Sequence, residues 1–230
     1  NSQMEIDTFE YYVGGLPKYP KPPFNYKAPF SPIDVIEEYT RPARMMVNGQ
    51  IVTKPALSGI ETMDFEKIGT LEAFNTDGLR SILFTMKHIK NMKEKTLRYS
   101  GHAALMANYR NAGKFNDDQI LKTSKELFEA WKLETNEPEV TVMKIIIKGE
   151  SKSISYDLFD EYDSSLGFTS MSRTTGFTAT ATINIVLKNL FNEKGVFPPE
   201  LLGVHPKCVD YLKEYLKERN ILINEKIENY

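Results

Sequence analysis

One cysteine, Cys208, in 230 residues leaves no internal disulfide and no cysteine-built zinc site, so a reducing, cytoplasmic setting is expected. The histidines are three, His88, His102 and His205, and none stands i, i+4 from another ligand-type residue, which argues against a metal. There is no G-x-G-x-x-G and no G-x-x-x-x-G-K-[ST], hence no cradle for a dinucleotide or a nucleoside triphosphate. Charge of neither sign dominates: the formal balance is −2 and the lysines are dispersed, which gives no reason to expect a nucleic-acid partner. No apolar run approaches membrane-spanning length and no signal-peptide pattern opens the chain, so no membrane partner is expected. What is present is ordinary globular composition, 41% hydrophobic and 26% charged, long enough to bury a core. The chain enters directly into strand-like residues 5–13, which suggests a piece of something longer.

Alternation of aromatic and β-branched residues predicts a first strand over 5–13, ended by Gly14-Gly15. A proline-rich loop, Leu16 to Pro32, follows, and Ser31-Pro32 then starts a helix through Tyr39. Asn48-Gly49 between apolar runs marks a hairpin, Ala43–Val47 with Gln50–Lys54. Strands are expected at 60–65, 71–74 and 96–99, and helices at 77–87, 103–111 and 117–132. A second hairpin pairs 140–148 with 154–159; a helix follows Arg173, another spans 206–219, and Leu222-Ile223 closes the sheet. Two tight hairpins rule out a strictly alternating βαβ array. The fold class is α+β, a mixed, largely antiparallel sheet with helices packed on it, in one domain over 1–230.

Two clusters carry chemistry. Met171 to Ala181 places Ser172, Arg173, Thr174, Thr175 and Gly176 before an apolar helix pattern (Ile183, Val186, Leu187, Leu190, Phe191). Free N–H groups at a helix start attract anions, and a guanidinium adds a planar fork for a carboxylate or phosphate. An ordinary capped helix, with Ser172, Thr174 or Thr175 as N-cap, explains the same residues equally well. In Thr96 to His102, Arg98 ends a strand beside Tyr99 and His102, a composition suited to gripping a carboxylate. The plain alternative is a surface arginine paired to Glu61 or Glu94. Glu72, near a strand end, could meet a substrate ammonium, while Asp77 suits a helix cap. Lys27 and Ser31 form a third polar group in the proline-rich loop.

These segments resemble the saccharopine dehydrogenase family. The resemblance rests on Gly14-Gly15-Leu16-Pro17, Tyr26 to Pro32, Ile68 to Phe74, Lys95 to Tyr99, Met171 to Ala181 and Gly195 to Glu200, in that order. Phe74 to Ser81 is similar to the lysine 6-dehydrogenase branch. The family implies an N-terminal Rossmann domain for NAD or NADP, absent here, followed by a substrate-binding and dimerisation domain, which this chain resembles. It implies that Arg98, Tyr99, Thr174 and Thr175 face an amino-acid cleft. Arg173, His102, Lys27 and Ser31 join them as substrate-binding candidates, with Gly14 and Gly15 as candidate cofactor contacts. The helix after Arg173 would pack towards the nucleotide domain.

The expected function is therefore one part of an NAD(P)-dependent oxidoreductase acting on a C–N bond of lysine or a lysine-derived amine, a homodimer, inactive as this fragment and binding no cofactor alone. A stand-alone amino-acid-binding or dimerisation module is the alternative. The reading rests on Arg98 and Arg173 converging on one pocket.

Overall fold

Residues with β-branched and aromatic side chains begin β1 at Ile6, but the strand runs through the two glycines to Pro17. The structure, a computed structural model, describes residues 4–28 and 30–230, and of Pro32 only the backbone. Gly14 does not break β1 because β6 lies against it. A Cβ there would sit 2.7 Å from the Leu97 carbonyl oxygen, so glycine permits the close approach of two strands.

In chain order the elements are β1 (Ile6–Pro17), α1 (Pro32–Thr40), β2 (Ala43–Val47), β3 (Gln50–Lys54), β4 (Glu61–Phe65), β5 (Gly69–Asn75), α2 (Ile82–Thr85) and β6 (Asn91–Tyr99). There follow α3 (His102–Asn111), α4 (Ile120–Trp131), β7 (Glu139–Gly149), β8 (Lys152–Glu161), α5 (Ser170–Leu187), a 3-10 turn (Pro199–Val204), α6 (Pro206–Lys217) and β9 (Ile223–Asn229). Among the described residues nine strands form one sheet, seven of them in the order β3-β2-β6-β1-β7-β8-β9. The β4–β5 hairpin pairs with the same edge of β6 as β2, further along the strand. Only β1 and β6 pair in parallel; the other pairs are antiparallel, so the α+β, largely antiparallel expectation holds.

Strand periodicity sorts the side chains. Thr96 pairs with Val13, Val13 with Met143, and Thr141 with Asp160, so Glu94, Thr96, Arg98, Thr141 and Asp160 share one face. The helices pack on this face. Tyr39 of α1, Met106 of α3 and Trp131 of α4 close over Phe74 in one apolar cluster, and Phe177 and Leu216 close over Met143 and Leu158 in another. The opposite face carries Tyr12, Leu97, Val140 and Val142, with Met63 and Phe65 of β4 against them.

Four further expectations are corrected. The helix expected over 77–87 shrinks to the single turn of α2, because Asp77 is clamped by Arg44 instead of capping, and Arg80 takes φ 49°. The strand expected at 96–99 begins at Asn91, and the last strand extends to Asn229 as a polar edge that apolar alternation does not reveal. The helix after Arg173 starts earlier, at Ser170, and its N-cap is Thr169, whose hydroxyl oxygen accepts from the Ser172 N–H.

Candidate functional site

Between α1 and β6 lies a cleft of about 370 Å3. Its floor is Val13 of β1 with Glu94 and Thr96 of β6; its walls are Glu37 and Glu38 of α1, Arg41 just past its end, and the segment from Thr76 to Arg80. Of its charged groups, Arg41 pairs with Glu37, and Asp77 receives Arg44 through both carboxylate oxygens with Arg80 at 3.9 Å. Burial pushes the Asp77 carboxyl up, but these contacts outweigh it and hold the group below the usual carboxylate range.

Glu94 is different. It is 4% exposed, and its Oε2 accepts from the Thr76 hydroxyl (2.5 Å) and the Gly78 N–H (3.0 Å). Thr76 is held in turn by Thr96 at 2.9 Å. Among the described residues Glu94 has no cationic partner within salt-bridge distance. Burial raises its carboxyl to about 7; the Thr76 and Gly78 hydrogen bonds and the Arg98 charge oppose this, and the Glu38 charge adds to it. Glycine at 78 is required by contact, since a Cβ would come within 2.5 Å of the Glu94 carboxyl carbon.

Arg98 borders this cleft from behind. The guanidinium is 2% exposed, donates to Glu38 and to the Leu97 carbonyl, and lies 4.3 Å above the Tyr26 ring. Its partner is thus Glu38, neither Glu61 nor Glu94. His102 is buried beside it. The Phe24 carbonyl can only accept, so Nδ1 carries the proton, and Nε2 accepts from the Tyr39 hydroxyl at 2.9 Å. Burial, with the Arg98 charge adding, lowers the imidazole to about 3. Above the free value near 6.5 folded and unfolded chains are both neutral here. Below it the unfolded chain gains a proton that the fold refuses, so stability falls as pH drops from about 6.5 towards 3. Urea midpoints measured across that window should fall more steeply for the native protein than for His102→Gln; equal slopes would refute the assignment.

The remaining candidates are dispersed. Tyr99 points to the other face of the sheet and donates to the Pro17 carbonyl. Lys27 donates to the Lys132 carbonyl at 2.7 Å, and Ser31 is exposed at the start of α1 with no side-chain capping bond. Gly14 and Gly15, considered for a cofactor, sit mid-sheet opposite Val142 and Thr141. Glu72 accepts from the Gly101 and Ala103 N–H groups and so caps α3.

The start of α5 is filled from within. Glu139 accepts from the Ser170 N–H and hydroxyl, which favours the capped-helix alternative over an external anion. Arg173 is 5% exposed and grips Asp160 through Nε (2.9 Å) and Nη2 (3.3 Å), with Asp163 at 2.8 Å. Thr174 and Thr175 donate to helix carbonyls one turn back. Arg98 and Asp160 occupy the same face but stand on β6 and β8, three strand spacings or about 14 Å apart. Arg173 lines a separate opening of about 440 Å3 with Asp160, Asp163 and Asn220, and Arg98 is not part of it. The expected shared pocket is not formed; each guanidinium is neutralised by its own carboxylates.

Sequence reasoning missed Glu94. Its signal is the alternation Glu94, Thr96, Arg98, which gives a strand one polar face, a pattern worth reading when the opposite face (Leu97) is apolar.

The family model described as "Saccharopine dehydrogenase C-terminal domain" matches residues 1–221. The chain belongs to that family. A solved saccharopine dehydrogenase shares this fold: the apo, L-Glu-forming enzyme from Saccharomyces cerevisiae superposes with a TM-score of 0.77 at 16% identity, covering 97% of this chain and 67% of that one. Among curated proteins, the mitochondrial alpha-aminoadipic semialdehyde synthase of Bos taurus is 27% identical over 121 residues, and that of Mus musculus 25% over 119. Those matches cover 49% and 48% of this chain and 13% of each relative, so only a small part of the relatives' length is matched. Among the described residues no group of three or more His, Cys, Asp or Glu is placed to hold a metal, and no helix is long and apolar enough to cross a membrane.

Proposed function

We propose that this chain is the substrate-binding and dimerisation domain of an NAD(P)-dependent oxidoreductase acting on the C–N bond of lysine or a lysine-derived secondary amine, of the lysine 6-dehydrogenase-like branch, in the cytosol. The observation that carries the reading is the Glu94 cleft, a buried carboxyl with no cation in contact among the described residues, in a chain matched by the family model over residues 1–221. The nicotinamide, when bound, accepts hydride. The residues of this chain do not fit it: Gly14 and Gly15 are in mid-strand, and the first N–H groups of α5 are met by Glu139 and Thr169. Cofactor binding therefore belongs to a domain outside this chain, and this chain's part is orientation of the amine. Arg98 serves as a positioning residue through Glu38. The uncharged, exposed side of α5 (Ile183, Val186, Leu187) is the surface offered to a neighbouring domain or subunit.

The purified chain is expected to reduce neither NAD nor NADP with lysine or saccharopine, whereas the longer protein containing it should reduce one of them. Turnover by the chain alone, or none by the longer protein, would overturn the reading. A stand-alone binding module is favoured only by the internal neutralisation of Arg98 and Arg173, and the same assay separates the two.

A further inference from the structure

Glu94 is held by one oxygen only. Oε2 takes both donors, the Thr76 hydroxyl and the Gly78 N–H, and among the described residues Oε1 has no hydrogen-bond partner. Glycine at 78 and threonine at 76 and 96 fix the carboxyl so that it borders the cleft, at a position itself 4% exposed. Across the cleft Glu38 gives one oxygen, Oε2, to Arg98. Oε1 is not among the buried atoms without a partner, so it reaches the cleft and is open to a ligand in both states of the carboxyl. Ionised, it is an anion with no cation in contact, the Arg98 charge acting only from a distance; protonated, its O–H faces no acceptor among the described residues. A primary amine suits both states, donating as ammonium to the carboxylate or accepting through its lone pair from the acid. An alcohol brings no charge, and a carboxylate would meet Glu38 and Glu94 with like charge, the wall arginines Arg41 and Arg80 being taken by Glu37 and Asp77.

We infer that the cleft between α1 and β6 binds the primary amine end of its ligand, with the Glu94 carboxyl as the group that contacts the nitrogen. The inference deepens the proposed function by assigning one end of the substrate, and it names a binding site that the arginine-centred reading did not contain. Transfer of the proton from ammonium to Glu94 Oε1 leaves a neutral amine and a neutral acid, with charge and atoms conserved. That is the form from which a C–N bond is oxidised.

The test uses n-pentylamine as probe, with 1-pentanol and pentanoate as matched controls, by calorimetric titration of this protein. Pentylamine is expected to bind, the controls not, and Glu94→Gln to weaken pentylamine by about tenfold or more, the loss of one charge-assisted contact. Should Glu94→Gln fold poorly, the backbone amide resonances of Gly78 and Thr76 in the native protein replace it, and they are expected to shift with pentylamine and not with pentanol. Equal binding of pentanol, unchanged affinity in Glu94→Gln, or unmoved Gly78 and Thr76 amides means a water-filled cleft and overturns the inference. Its failure is separate from that of the proposed function: amine binding without turnover in the longer protein refutes the reaction, and turnover without amine binding here refutes only the site.

Discussion

Arg173→Met is expected to destabilise the fold by about 3–5 kcal/mol, the cost of breaking a buried pair from one side. Three of its contacts are to carboxylate oxygens and a fourth is to the Arg219 carbonyl at 2.9 Å, which ties α5 to the end of α6. Without the guanidinium, Asp160 stays 5% exposed with no cation, near Glu139, whose carboxyl burial already pushes up. Asp163 sits in an exposed turn and can hydrate, so Asp160 bears most of the loss. Combining Arg173→Met with Asp160→Asn should therefore recover a large part of the deficit, a coupling that a double-mutant cycle in urea reads directly. If the single change left the urea midpoint alone and only weakened an amino-acid ligand, Arg173 would be a ligand group and its internal pairing incidental.

Arg98→Met should cost less, about 3 kcal/mol, at the low end for a broken buried pair. The contact with Glu38, the bond to the Leu97 carbonyl and the cation–π contact with Tyr26 are all lost. Two features soften the loss. Glu38 is partly exposed, with 23% of its side-chain surface accessible, and can take water in place of the guanidinium. Arg98 Nε is buried without a hydrogen-bond partner, so removing it relieves an unsatisfied donor. Methionine preserves much of the apolar stem beside Tyr26. Thermal unfolding of the variant beside Arg173→Met checks the order; a larger loss at Arg98 than at Arg173 would show that water does not reach Glu38.

The elements that were legible have local causes. Asn48-Gly49 demands a tight hairpin, and Asn48 (φ 50°) and Gly49 (φ 77°) adopt the backbone it requires. Ser31-Pro32 starts α1 because proline needs no N–H at that position. The apolar stripe of α4, with Leu127 and Trp131 inward, follows from spacing alone. The illegible parts have distant causes. Gly14 looks like a terminator until Leu97 is placed beside it, and Asp77 looks like a cap until Arg44 reaches it from β2. β9 is polar because an edge strand buries little, so nothing in its pattern announces it.

The candidate site divides in the same way. Family membership, the α+β class and a reading centred on amino-acid chemistry were available from motifs along the chain, because each motif is a run of neighbours. The partners of its charges were not. Arg98 meets Glu38 from 60 residues away, and Ser170 meets Glu139 from 31. A guanidinium looks the same in sequence whether it awaits a ligand or is already neutralised, since the difference is the position of a carboxylate brought near by the sheet. By the same rule Glu94 was inconspicuous among lysines until the fold removed it from water and gave it no cation. Sequence determined which groups the chain carries and which strands and helices present them. Tertiary structure decided which charges were left unpaired, because pairing depends on distance across the fold and not along it.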